Sequence, residues 1–162
     1  MIRQARQSDL QSILSIYNHA ILNTTAVYTY EPVTIEERET WFHTKLEQAE
    51  PIFVYLKDGQ VVGFATYGAF RNWPAYQYTV EHSIYVDPET RNEGVDSQLL
   101  VKLIEEIKNR NYKTIVAGID ASNTASIKLH EKYGFELCGT IKSVGYKFDR
   151  WLDLAFYQLI LK

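Results

Sequence analysis

The amino-acid sequence predicts an α/β fold of the α+β type, with helices on both faces of one central mixed sheet. Hydrophobic residues recur with the strand period and the helix period in turn along the chain. Asp58-Gly59, between two apolar segments, indicates an early β-hairpin. The 162 residues, 46% of them hydrophobic, are enough for one domain with a substantial core. We therefore expect a single domain over residues 1–162.

The first half of the chain is expected to form three strands and two helices. Apolar residues at helical spacing predict one helix over 10–22 and a second over 34–48. Thr34 followed three residues later by Glu37 is a capping-box pattern, which places the start of the second helix. The residues of that helix expected to face inward are Trp41, Phe42 and Leu46. The predicted strands are 2–5, 52–56 and 60–70.

The second half is expected to add two helices and four strands. One helix is predicted over 92–109, and the other over 123–133. Asn123 is a suitable N-cap for the latter, and Gly134 suits the position just past its end. The predicted strands are 78–86, 113–119, 135–148 and 151–161. The resulting order, β-α-α-β-β-β-α-β-α-β-β, comprises about seven strands and about four helices.

Charge and composition exclude several classes of function. A net charge of -3 and a pI near 5.8 give no electrostatic basis for binding nucleic acid. The polar N-terminal segment lacks the apolar stretch of a signal peptide, and no apolar run approaches the roughly 18 residues of a membrane span. Cys138 is the single cysteine, so no internal disulfide is possible, and its strand position predicts a buried side chain. We expect a soluble cytoplasmic protein with neither nucleic acid nor membrane as a partner.

The stretch from Glu81 to Leu100 runs from an apolar strand through a polar turn into a helix. Free N–H groups and the dipole at a helix start favour a bound phosphate. Gly94 would let the backbone approach such a ligand, and the guanidinium of Arg91 could pair with a pyrophosphate. An ordinary capped helix start explains the same residues, and the turn alone does not decide between these interpretations.

Longer segments carry a family resemblance. They are IYNHAI (16–21), EPVT (31–34), TVEHSIYVDPETR (79–91), AGIDASNTASIKLHEKYGF (117–135) and VGYKFDRWLDLAFYQ (144–158). With these segments the chain resembles the GNAT acetyltransferase superfamily over nearly its whole length. The phosphinothricin and methionine-sulfone N-acetyltransferase branch is the closer match. The resemblance implies a mostly antiparallel sheet and a homodimer, with the KFDRW segment near the dimer contact.

The resemblance implies acetyl-CoA as the cofactor and no metal. Main-chain groups of residues 84–86 would contact the pantetheine arm, and the turn over 92–97 would wrap the pyrophosphate. Asn123 would lie near the thiol end, a role compatible with capping its helix. The implied cofactor-binding residues are Ile84, Tyr85, Val86, Arg91, Asn92, Glu93, Gly94, Val95, Asp96, Ser97, Asn123 and Ser126.

The resemblance also implies direct acetyl transfer in a ternary complex, with Glu81 as the general base. A carboxylate beside apolar Val80 and Ile84 is expected to be desolvated, with a raised pKa. The alternative is a glutamate in a surface ion pair. His82 should point to the opposite side of the strand, and we interpret it as structural.

His130 lies where many members of the superfamily have a tyrosine that protonates the leaving thiolate. An imidazole could do this near neutral pH, so His130 is the second catalytic candidate. The alternative is a histidine packed against the cofactor or a neighbouring strand. Direct transfer makes an acyl intermediate on Cys138 unnecessary.

The acceptor implied by the resemblance is a small amino acid or a close analogue. Its carboxylate suits a bidentate arginine, and Arg71 is the candidate, unless it is only a solvated loop residue. The expected pocket walls are Tyr28, Tyr30 and Tyr76.

The turn departs from the common family pattern R-G-x-G-x-G. Asn92 and Asp96 replace two small residues, and Glu93 stands where a basic residue is frequent. Two unit charges about 4 Å apart repel by about 1 kcal/mol in water and about 4 kcal/mol at an effective dielectric of 20. We therefore expect weaker acetyl-CoA binding than is usual in the family. The alternative is that Asp96 simply stabilises its own helix start.

The sequence thus predicts an acetyl-CoA-dependent N-acetyltransferase that acts on the α-amine of a small amino acid or analogue. One alternative is a non-catalytic binding protein whose pyrophosphate turn is degraded at Asp96. Another is an acetyltransferase for a peptide N-terminus or a polyamine.

Overall fold

A seven-stranded sheet in the order β1-β2-β3-β4-β5-β7-β6 forms the centre of the molecule. The computed structural model describes residues 1–162. Its strands are β1 (Ile2–Gln4), β2 (Ile52–Lys57), β3 (Gln60–Ala69), β4 (Thr79–Val86), β5 (Thr114–Asp120), β6 (Glu136–Lys147) and β7 (Arg150–Ile160). Its helices are α1 (Leu10–Asn23), α2 (Ile35–Glu47), α3 (Val95–Asn109) and α4 (Thr124–Lys132). The predicted order of elements is confirmed, and so is the fold class.

The sheet is antiparallel except where β4 lies beside β5. These two strands pair in parallel only from Thr79↔Thr114 to Glu81↔Val116. β5 then continues along β7 as far as Asp120↔Leu154. The second half of β4 is therefore paired with β3 alone, and a gap opens in the sheet just after Glu81.

Two hydrophobic clusters cover the two faces of the sheet. The larger cluster joins α3 to one face, and the smaller joins α1 and α2 to the other. Leu99, Leu100, Leu103 and Ile107 of α3 are fully buried. Burial of such side chains contributes about 1.5–3 kcal/mol each before the conformational entropy is counted. Consecutive strand residues alternate between the two faces. Neighbouring residues of β4 and β5 therefore point towards different clusters.

Local capping follows the sequence closely. Thr34 Oγ1 accepts a hydrogen bond from the Glu37 N–H at 3.1 Å, and Asn123 Oδ1 accepts one from the Ser126 N–H at 3.2 Å. The prediction for Leu46 is wrong. It is 59% exposed because it lines an open cleft beside Lys45 instead of packing under an apolar element.

The prediction for Cys138 is also wrong, because its side chain is exposed. Cys138 lies in β6, an edge strand whose only neighbour is β7. Nearly every residue of β6 is exposed. No helix of the structure is long and apolar enough to cross a membrane. No group of three or more His, Cys, Asp or Glu side chains is arranged to hold a metal ion.

Candidate active site

Glu81 lies where the pairing of β4 with β5 ends. Its carboxylate reaches over Gly118 of β5, and Glu81 Oε2 is 3.9 Å from the position a Cβ would take on that glycine. Burial raises the pKa of the Glu81 carboxyl above its usual value, and the positive charge of Arg71 partly opposes this rise. The expected desolvation is confirmed. An ionised Glu81 in this position is poorly solvated and accepts a proton more readily than a surface glutamate would.

Arg71 follows β3, on the same side of the site as Tyr76. Its guanidinium carbon is 4.8 Å from the centre of the Phe70 ring, and that ring meets the Tyr76 ring edge to face at 5.8 Å. Arg71 is close enough for its charge to act on the Glu81 carboxyl. The structure therefore brings together a carboxylate and a guanidinium, with aromatic rings beside the cation.

Tyr28 and Tyr30, the other predicted pocket residues, pack against the β6–β7 hairpin. The Tyr28 ring covers Gly145 so closely that a Cβ there would lie 2.7 Å from a ring carbon. The Tyr30 hydroxyl donates a hydrogen bond to the main-chain carbonyl of Tyr146. Tyr28 remains 39% exposed and Tyr30 61% exposed. They are positioned by the loop after α1, on the side of the site where β7 and β6 lie.

Two buried charged residues hold that loop, and sequence reasoning did not assign them. Lys147 Nζ donates to the carbonyls of Thr24 and Val27, both at 2.7 Å. Asp120, at the end of β5, accepts a hydrogen bond from the Thr25 hydroxyl. Because these partners are 95 to 123 residues apart in the chain, no local pattern identifies them.

Asp120 has an environment suited to a permanent negative charge. Burial alone would raise its pKa, but hydrogen bonds from Thr25 and Ser122 outweigh this and lower it. The Ser122 N–H and hydroxyl both donate to Asp120 Oδ1, at 3.0 and 2.9 Å. An ionised Asp120 therefore joins the end of β5 to the loop that carries Tyr28.

His82 points away from Glu81, as expected, and meets His130 of α4. The two Nε2 atoms are 2.9 Å apart. His130 Nδ1 lies 2.7 Å from the Ser126 carbonyl, so this nitrogen carries the proton and donates it to that oxygen. His130 Nε2 is then the acceptor for the His82 Nε2–H. Both rings also pack against Phe135.

Burial keeps both imidazoles neutral. It lowers the pKa of His82 to about 3, and the neighbouring His130 adds to this effect. Burial also lowers the pKa of His130, against the opposing effects of the Ser126 carbonyl and Asp96. In this arrangement His130 has no proton directed at a ligand. The contacts favour the packing alternative for His130, and its role as an acid stays a prediction.

The turn before α3 has the geometry of an anion site. Gly94, the N-cap, has φ 79° and Asn92 has φ 67°, so both adopt the left-handed conformation. For this reason α3 begins at Val95, three residues later than expected. Asp96 Oδ1 accepts a hydrogen bond from the Ser97 N–H at 2.8 Å. One of the donors that a phosphate would use is therefore occupied by a carboxylate of the same turn.

The second unusual carboxylate of this turn is compensated. Glu93 forms an ion pair with Lys57 of the β2–β3 hairpin. Both side chains are partly exposed, so the pair contributes little to stability, but it offsets the negative charge next to the turn. Of the two carboxylates that depart from the family pattern, Asp96 is the one whose charge has no paired cation in the structure.

Three further predicted cofactor residues lie on α3 (Ser97) or at the start of α4 (Asn123 and Ser126). The Ser97 hydroxyl is 2.5 Å from the Tyr133 hydroxyl, which connects the two helices. The side-chain oxygen of Asn123 caps α4 and leaves its NH₂ group as the available donor. Ser126 supplies its N–H to Asn123 and its carbonyl to His130. Both main-chain polar groups of Ser126 are therefore already hydrogen-bonded, one to Asn123 and the other to His130.

Residues 84–86 of β4 fit an extended polar ligand. They pair with β3 on one side only, and all three are half-buried. The Tyr85 ring packs edge to face on Tyr17 at 5.2 Å, and burial raises its pKa to about 12. That side chain is therefore structural, and the main chain is what this edge offers. An amide-containing arm along β4 that ends in phosphates at Gly94 matches the shape and chemistry of coenzyme A.

The chain is similar in sequence to known acetyltransferases. A family model described as an acetyltransferase (GNAT) domain matches residues 2–156. The L-methionine sulfoximine/L-methionine sulfone acetyltransferase of Pseudomonas aeruginosa is 45% identical over 161 residues, which cover 99% of this chain and 94% of the relative.

Solved structures of similar chains have the same fold. An N-acetyltransferase from Staphylococcus aureus Mu50 is 64% identical with a TM-score of 0.99, over 100% of this chain and 98% of the other. A phosphinothricin acetyltransferase from Sinorhizobium meliloti, solved in complex with acetyl-CoA, is 39% identical with a TM-score of 0.97, over 99% and 88%. The resemblance inferred from the sequence is confirmed, and the chain belongs to the GNAT acetyltransferase family.

Proposed function

We propose that this protein is an acetyl-CoA-dependent N-acetyltransferase for the α-amine of a small amino acid or amino-acid analogue. The observation that carries the proposal is the desolvated Glu81 carboxylate with Arg71 nearby. An α-amino acid presents an ammonium and a carboxylate within a few ångströms of each other. Its charges are complementary to those of Glu81 and Arg71. Two relatives are named as acetyltransferases of methionine sulfone and of phosphinothricin, and these names support the same substrate class.

Acetyl-CoA, when bound, would supply a thioester carbonyl for attack by a neutral amine, and the C–S bond that breaks would release coenzyme A as its thiol. Glu81 accepts a proton from the bound ammonium, directly or through one water, and its raised pKa suits this step near neutral pH. Arg71 binds the carboxylate and orients the amine. Asn123, three residues after the end of β5, offers its NH₂ group as a donor. Transfer is direct, so no residue of this chain carries the acetyl group.

Thiol release from acetyl-CoA in the presence of single free amino acids tests this proposal. We expect turnover with methionine sulfone or phosphinothricin and none without an acceptor. Turnover only with a peptide N-terminus or a polyamine would replace the proposed substrate class. No turnover with any amine, together with no rise of the melting point on adding acetyl-CoA, would favour the non-catalytic alternative.

We further propose a homodimer formed through the β6–β7 hairpin. Large apolar side chains are exposed along this hairpin, and an exposed apolar patch of this kind favours a protein–protein contact. They are Leu137, Ile141, Val144, Tyr146, Phe148, Trp151 and Ile160. The extended edge of β6 favours the same conclusion, because natural sheets rarely leave a long apolar edge uncovered.

Sedimentation equilibrium tests the dimer. We expect the mass of a dimer for the natural chain and of a monomer for Trp151→Glu, because a charge would be buried without a partner in the contact. Leu46→Glu is the matched control, since Leu46 is similarly exposed but lies on α2. A monomeric natural chain, or a Trp151→Glu variant that remains a dimer, would contradict the proposal.

A further inference from the structure

Gly118 interrupts β5 directly beneath the Glu81 carboxylate. It is the one exposed residue in a strand whose other positions are buried or half-buried. A glycine inside a strand weakens it and often indicates that another group approaches the backbone. The face of β5 that carries Gly118 is the face over which Glu81 reaches.

The fold itself does not require a glycine at this position. Gly118 does not have a positive φ. A Cβ there would lie 3.5 Å from Leu154 Cδ1, 3.7 Å from Phe156 Cε1 and 3.9 Å from Glu81 Oε2. These are ordinary van der Waals distances, so an alanine would fit without moving its neighbours. The neighbouring side chains therefore leave a space of about one carbon atom beside the Glu81 carboxylate.

We propose that Gly118 is the floor of the acceptor site and limits the size of the acceptor that can bind. This inference rests on the proposed function. A general base must lie about 3 Å from the proton it removes, or one water away. The carbon that carries the acceptor amine then lies within a few ångströms of Glu81 Oε2, in the region where a side chain at position 118 would project. The missing Cβ leaves room for the first carbons of the acceptor.

Gly118→Ala and Gly118→Val, with Gly139→Ala as the control, test the inference. Gly139 is also an exposed strand glycine, but a Cβ there would have nothing within 4 Å. We expect Gly118→Ala to raise KM for methionine sulfone at least tenfold and Gly118→Val to raise it further. KM for acetyl-CoA should stay within twofold. The melting point should stay unchanged or rise, because alanine is less costly than glycine in a strand. Gly139→Ala should leave both KM values unchanged, and its melting point should likewise stay unchanged or rise.

The outcomes separate this inference from the proposed function. If the natural chain acetylates amino acids and Gly118→Ala does so with the same KM, the floor assignment is wrong and the function stands. If Gly118→Ala loses acetyl-CoA binding and acceptor binding together, Gly118 acts on the whole site and the assignment is again wrong. If the natural chain acetylates no amino acid, the proposed function fails and this inference fails with it.

Discussion

Glu81 and its surroundings are assembled from strands distant in sequence, whereas the turn over residues 91–97 is formed by consecutive residues. At the Glu81 end, the carboxylate of β4 meets Gly118 of β5, and the pairing of the same two strands stops there. At the turn end, Asp96 bonds its own neighbour and Gly94 supplies a local backbone conformation. One end is desolvated by packing, and the other is exposed.

Because of this difference, we expect Glu81 to control turnover and the turn over residues 91–97 to control the affinity for acetyl-CoA. A half-buried carboxylate acts through its raised pKa, so a change there should alter turnover more than cofactor binding. An exposed carboxylate in a turn acts by repulsion and by occupying a donor. A change there should alter cofactor binding more than turnover.

Glu81→Gln should produce the largest effect, a loss of turnover of about 100-fold or more at neutral pH. Acetyl-CoA should still raise the melting point as it does for the natural chain. The stability of the variant should change in the opposite direction to its activity. Because burial raises the folded-state pKa of Glu81, its contribution to stability is full below the unfolded pKa and is lost as pH rises through the folded pKa.

At pH 7 the neutral glutamine should therefore leave the melting point equal or higher, which a thermal scan measures. Glu47→Gln is the control, because Glu47 is exposed at the end of α2 and should change neither property. A fully active Glu81→Gln variant would remove Glu81 from the role of base.

Asp120→Asn should give the next largest effect. It removes the charged acceptor that holds Thr25 and Ser122, and hydrogen bonds to charged groups contribute about 1.5–3 kcal/mol each. We expect KM for the acceptor to rise about tenfold, with KM for acetyl-CoA unchanged, in steady-state assays. Asp149→Asn is the control, since Asp149 is exposed in the β6–β7 turn, where asparagine also tolerates the positive φ. A parallel rise in both KM values would show that Asp120 does not act on the acceptor side.

Asp96→Gly should tighten acetyl-CoA binding several-fold, about 1 kcal/mol, by removing both a charge and a competitor for the Ser97 N–H. The same change should lower the melting point, because glycine costs about 1 kcal/mol in a helix. Asp96→Asn separates charge from bulk, since it removes the charge and keeps the size. Isothermal titration measures the affinity of the natural chain, Asp96→Gly and Asp96→Asn for acetyl-CoA. Equal affinities would contradict the expectation that Asp96 weakens cofactor binding.

His82→Gln should produce the smallest effect, a flatter response of stability to acid. The folded-state pKa of His82, about 3, is well below the unfolded value of about 6.5. The stability it contributes is present above pH 6.5 and is lost as pH falls towards 3. A glutamine can still donate to His130 but does not titrate.

We therefore expect the drop in melting point between pH 8 and pH 5 to be smaller in His82→Gln than in the natural chain. His43→Gln, at an exposed histidine, should leave that drop unchanged. An unaltered drop in His82→Gln would mean that the buried pair does not set the acid response.

Features that depend on neighbouring residues were predictable from the sequence. The caps at Thr34 and Asn123 were placed correctly, as were the order of the strands and helices and the opposite orientations of Glu81 and His82. The family segments identified the family, because they are long and cover most of the chain.

Features that depend on distant pairing were not predictable. In the sequence, Gly118 is only one residue of an apolar strand. Its closeness to the Glu81 carboxylate follows from the pairing of β4 with β5. The ion pair of Lys57 with Glu93 joins a hairpin to a turn 36 residues later. The burial of Lys147 depends on a loop more than 100 residues away. These contacts are set by the register of the sheet, for which the local pattern carries no information.

The role of Glu81 as the general base is tested most directly by the pH dependence of kcat/KM for the acceptor in the natural chain and in Glu81→Gln. If Glu81 removes the proton from a bound ammonium, the deficit of the variant should be largest at low pH. It should shrink as pH approaches the pKa of the free amine, where neutral acceptor becomes abundant without a base. A ratio of the two rates that stays near one, or that does not change with pH, would contradict the assignment of Glu81 as the general base.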